Sequence, residues 1–140
     1  IGATLENGWY VIVDLSEHLQ RQNELLAKLS QKTQVLVGSI EEHVMDARLT
    51  SWQNGKKLWE VIHNAETGDD HLQVEGTPPA DFGAIKEQAL QQAEGDDGVD
   101  YYFEIPVALF YQITGYRYDQ HYDLVDFEDR QILKSIQHLG

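Results

Sequence analysis

The sequence predicts one α+β domain over residues 1–140: a largely antiparallel sheet of five to six strands, with helices mainly on one face. Three observations predict it. Asn54-Gly55 sits between two segments that read as strands, the pattern of a tight type I′ hairpin. Stripes with helical period appear near residues 15–29, 80–94 and 126–139, separated by strand-like segments. The chain has 140 residues, the size of a single domain, and can bury roughly two thirds of its unfolded surface without disulfide or metal.

The elements follow in the order β-α-β-β-β-β-α-β-α-α. Gly8-Trp9-Tyr10-Val11-Ile12-Val13 is aromatic and β-branched on both parities, as in a strand covered on both sides. Asp14 with Glu17 three residues on forms a capping-box pattern. A helix is expected over 15–29, where Leu15, Leu19, Leu25, Leu26 and Leu29 share a face and Gln22 interrupts it. Residues 34–40, with Val35, Leu36 and Val37, form the next strand. The hairpin arms are 44–53 and 56–63, and residues 71–75 make another short strand.

Thr77-Pro78-Pro79 then breaks the chain and opens a helix carrying Phe82, Ile85, Ala89 and Ala93. Residues 99–105 read as a strand, followed by a short helix over 107–114 that Gly115 stops. The last element is an amphipathic helix at 126–139.

Charge is the strongest compositional signal. There are 24 acidic and 10 basic residues and a formal net charge of -14. Of that imbalance, residues 64–140 hold 16 acids against 4 bases. Such a field repels nucleic acid and anionic membrane and attracts basic proteins. No apolar run reaches the ~20 residues of a membrane span. Cysteine is absent, which excludes thiol catalysis and Cys-based metal sites and fits a cytoplasmic setting. Residues 1–8 have neither a basic start nor a long apolar stretch, so no signal peptide is read there. Because the chain starts at Ile1 and not Met, whether a leader was removed stays open.

Pairing the hairpin arms directly across Asn54-Gly55 places two sets of side chains on opposite faces. Met45, Ala47, Leu49 and Ser51 with Leu58, Glu60, Ile62 and Asn64 form the expected core face. The other face then shows Asp46 opposite His63, Trp52 opposite Lys57, and Arg48 and Trp59 nearby. An Asp–His pair, an arginine and two tryptophans on one surface make a candidate binding patch. The same face would give a small-ligand site or a hydrolytic site its oriented base, although no nucleophile is placed by spacing. It would also give a structural homo-oligomer its contact, since Trp52 and Trp59 need cover, and a homodimer through that face is the expected cover.

Acid–histidine neighbours recur at 41–43, at 69–71 and at Asp119, His121 and Asp123, but none has the spacing of a metalloprotease signature. No metal site or cofactor is assigned. There is no Walker A or dinucleotide fingerprint. The preferred reading is a non-catalytic protein-binding or regulatory module, antidote-like in charge, that binds a basic protein. Residues 94–104 carry five acids and no base, so Asp96, Asp97, Asp100 and Glu104 are the expected contacts.

Overall fold

A computed structural model describes residues 2–5, 8–14, 19–95 and 97–120. The expected helix at 126–139, His121 and Asp123, and Asp96 lie outside the described residues. Within them the architecture is α+β with antiparallel strand pairing throughout.

The six strands among the described residues fall into two sheets. Strands β1 (Gly2–Thr4) and β2 (Tyr10–Ile12) pair as a two-stranded ribbon, with Gly2 opposite Ile12. Gly8 turns the chain between them at a φ of 91°, where a side chain is strained. Thus the segment read as a doubly covered strand belongs to a small ribbon. The four-stranded sheet has the order β3 (Val35–Glu41), β4 (Asp46–Gln53), β5 (Lys56–Asn64) and β6 (Gln73–Gly76). Asn54 and Gly55 both have positive φ, as a type I′ turn requires.

The register of that hairpin differs from direct pairing. Gln53 opposes Lys56 and Trp52 opposes Lys57, but Ser51 opposes Trp59, so Leu58 is the extra residue of a β-bulge. Beyond it every β5 side chain moves to the other face. Leu58 is 45% exposed, whereas Trp59, Val61 and His63 join Ala47, Leu49 and Ser51 on the core face. Gly76 accommodates the bulge from the next strand. It has a φ of 70°, and a Cβ there would lie 2.1 Å from the Leu58 carbonyl oxygen.

Of the helix expected over 15–29, residues 15–18, with Glu17 of the capping-box pattern, lie outside the described residues, and helix α1 covers Asn23–Leu29. Residues 19–21 form a separate 3-10 turn, and Gln22, where the apolar stripe fails, has non-helical φ and ψ. Ser30 locks the end of α1 to the hairpin tip: its hydroxyl donates to the Ala27 carbonyl at 2.9 Å and accepts the Gly55 N–H at 3.0 Å.

Helices α2 (Asp81–Ala93) and α3 (Glu104–Thr114) pack together, and α3 packs on the sheet. Leu49, Trp59 and Val61 of the sheet meet Ala89 of α2 and Ile105 and Leu109 of α3 in the main core. Gly38 admits the Phe110 ring, which would lie 3.3 Å from a Cβ at that position. Residues 99–105 do not form a strand. The Asp100 carboxylate accepts the Phe103 N–H at 3.0 Å and turns the chain into α3, so aromatic residues that read as strand sit at a helix start. Pro106 lies in the first turn, where its missing N–H costs little. Gly115, at a φ of 79°, ends α3 as expected.

Candidate functional site

The bulge divides the predicted patch between the two faces of the sheet. Asp46, Arg48, Trp52 and Lys57 stay together on the second face, where Thr50 and Glu60 join them. Trp59 and His63 are on the core face, 5% and 0% exposed. The expected opposition of Asp46 and His63 is therefore corrected: Asp46 faces Asn64, and His63 faces Ala47. The expected Trp52/Trp59 surface is corrected too, because the rings lie on opposite faces and both are buried. A homodimer contact built from both rings has no surface to use.

On the second face the polar groups bind one another. Arg48 makes a two-pronged contact with Asp46, Nε to Oδ1 at 2.8 Å and Nη2 to Oδ2 at 2.9 Å, and Asn64 donates to the same carboxylate. The Asp46 hydrogen bond, outweighing partial burial, holds the Arg48 pKa above its ordinary value. Thr50 donates to Glu60 at 2.6 Å, and the Lys57 ammonium lies 3.9 Å from Glu60 and 5.9 Å from the Trp52 ring centre. Asp46, Arg48, Thr50, Trp52, Lys57 and Glu60, with Gln20, Asn23 and Leu26 alongside, line a depression of about 430 Å³.

His63 takes a different acid. Its Nε2 lies 2.8 Å from Asp100 Oδ2, and its Nδ1 lies 2.6 Å from the His71 carbonyl. Tyr102 stacks on the ring, with centroids 6.1 Å apart. An Asp–His pair thus exists, but the imidazole is sealed from solvent and holds β5 to the start of α3.

Among the described residues, the other predicted acidic contacts, Asp97 and Glu104, are also engaged. Asp97 accepts the Tyr101 hydroxyl and the Val99 N–H, and those bonds, the tyrosine's first, lower its pKa. Glu104 accepts Arg117 at 2.7 Å, and Arg117 reaches Asp119 at 2.8 Å. Partial burial lowers the Arg117 pKa, but these two acids together raise it above the ordinary value.

A concavity larger than that depression is not expected from the sequence. It is a cleft of about 1010 Å³ between β2, α1, β3 and α3. Apolar walls come from Val11, Leu29, Val35, Val107 and Phe110, and Arg117 and Tyr118 close one end. Tyr118 donates to Glu42 at 2.6 Å; burial first, and then Glu42, drive its pKa well above the ordinary tyrosine range. Tyr116 and Tyr118 alternate along the chain, and both line the cleft.

Among the described residues, no group of three or more His, Asp or Glu side chains is placed to hold a metal ion. No described helix is long and apolar enough to cross a membrane. Comparison of the chain with family models, with curated proteins and with solved structures gives no match.

Proposed function

We propose that this chain is a non-catalytic module that binds a basic protein, with the cleft as its docking site. The carrying observation is an apolar cleft of about 1010 Å³ in a protein of net charge -14. Apolar walls supply contact area, and the acidic field steers a positively charged partner to them. The molecule acts as a binder, since the His63–Asp100 pair that could have served as a base holds its imidazole sealed in the core. Asp97, Asp100 and Glu104 then contribute to the field more than to direct contacts, since each already holds an intramolecular partner. A cytoplasmic location belongs to the same proposal and rests on the cysteine-free sequence.

The test is capture of partners on the immobilised full chain, followed by stopped-flow association with each purified partner across salt. A basic partner whose association slows steeply as salt rises supports the reading. A partner that is neutral or acidic, or a rate indifferent to salt, overturns it.

A further inference from the structure

Strand β3 ends the four-stranded sheet, and β2 pairs only with β1, so each leaves one side without a strand partner among the described residues. The cleft is lined by every residue from 8 to 14 and by every residue from 33 to 38. A cleft lying over a sheet face would be lined by alternate residues, because side chains alternate along a strand. Consecutive lining means that the cleft runs along strand edges, where backbone N–H and C=O groups are presented.

The charges around it are not balanced. Arg48 is paired with Asp46, and Arg117 with Glu104 and Asp119. Glu41 and Glu42, which meet no basic side chain among the described residues, leave that end of the cleft negative.

Building on the proposed function, we infer that the cleft takes an extended segment of the basic partner by strand addition to β3. Main-chain hydrogen bonds to Val35–Glu41 hold the segment in register, over roughly 23 Å for seven residues. Alternate apolar side chains of the segment enter the cleft against Val107 and Phe110, and lysine or arginine at the end of the segment beside Glu41 and Glu42 meets those acids.

The probe is a synthetic peptide of about nine residues, valine at alternate positions and lysine at both ends, added to the full chain. Amide hydrogen exchange is followed residue by residue. Binding should slow exchange at alternate amides of Val35–Glu41 that exchange quickly in the free protein. N-methylating every second peptide amide should, in one of the two possible phases, weaken binding about a hundredfold, because several hydrogen bonds are lost together. Replacing the terminal lysines by glutamate should weaken it about tenfold at low salt. Peptide binding without new protection in β3, or equal affinity for both N-methylated forms and the parent, overturns the inference. So does protection of those β3 amides before peptide is added, which would mean that the chain's own residues or a second copy occupy the cleft. Any of these outcomes leaves the salt-dependent capture of a basic partner standing, so the two proposals fail separately.

Discussion

His63 and Asp100 face one another at 2.8 Å, joining the end of β5 to the residue that starts α3. The other imidazole nitrogen faces the His71 carbonyl, which can only accept, so Nδ1 carries a proton. Asp100 divides its carboxylate between two tasks, Oδ2 towards His63 and Oδ1 towards the Phe103 N–H. Sheet, loop and helix are held by a histidine that the sequence pairs with Asp46 and an aspartate that it assigns to partner contacts.

That division sets apart two substitutions at one position. Asp100→Ala leaves the buried His63 Nε2 and the Phe103 N–H without partners and should cost about 2–4 kcal/mol in urea unfolding. Asp100→Asn can keep both contacts, its carbonyl accepting from Phe103 and its amide donating to a neutral His63. It should cost about 1 kcal/mol or less. Equal losses for the two variants would show that the pair depends on charge and not on hydrogen-bond completeness.

What could be read from sequence stopped at features that depend on distant neighbours. Asn54-Gly55 located the hairpin because its turn chemistry is local, and alternation placed Ala47, Leu49 and Ser51 correctly on the core face. The bulge at Leu58 was not legible, since it is settled by Gly76 approaching from another strand. One extra residue then moved Trp59 and His63 away from Asp46 and Arg48. Likewise Tyr101, Tyr102 and Phe103 have the composition of a strand, and only the bond from Asp100 turns them into a helix start. The cleft escaped notice because a strand's position at a sheet edge is a fact of topology, carried by no residue of β3.

The glycine beside the bulge should be irreplaceable, and one in α2 should not. Gly76→Ala sets a Cβ against backbone, at a φ that disfavours any side chain, and should lose about 2 kcal/mol or more. Gly83→Ala adds a methyl group with nothing within 4 Å and removes chain entropy from a helix. It should gain roughly 0.5–1 kcal/mol. Thermal unfolding of both variants checks the pair, and a tolerated alanine at 76 would remove the bulge–glycine coupling.

Two buried serines should respond with opposite signs. Ser30 is 1% exposed, and its hydroxyl serves both Ala27 and the hairpin tip. Ser30→Ala leaves the Gly55 N–H unserved and should cost about 1–2 kcal/mol. Ser51 is fully buried, and its hydroxyl has no hydrogen-bond partner among the described residues. Ser51→Ala removes that desolvated group and should be neutral or stabilising by up to about 1 kcal/mol. Denaturant midpoints for the two variants should fall on either side of the parent, and a large loss at position 51 would reveal a partner for that hydroxyl.

The last prediction concerns alkaline pH. Burial, followed by the bond to Glu42, favours the neutral Tyr118 phenol in the folded state. Its folded pKa is therefore raised above the unfolded value of about 10. For a raised pKa the stabilisation is complete below the unfolded value and is lost as pH rises through the folded one. At neutral pH the contribution is intact, and it should fade only in strong alkali. In an ultraviolet titration of the folded chain, Tyr118 should ionise only above the ordinary tyrosine range. Tyr118→Phe should delete that late step and flatten the alkaline fall in stability. If the substitution instead removes an early step, the bond between Tyr118 and Glu42 at the end of the cleft does not form in solution.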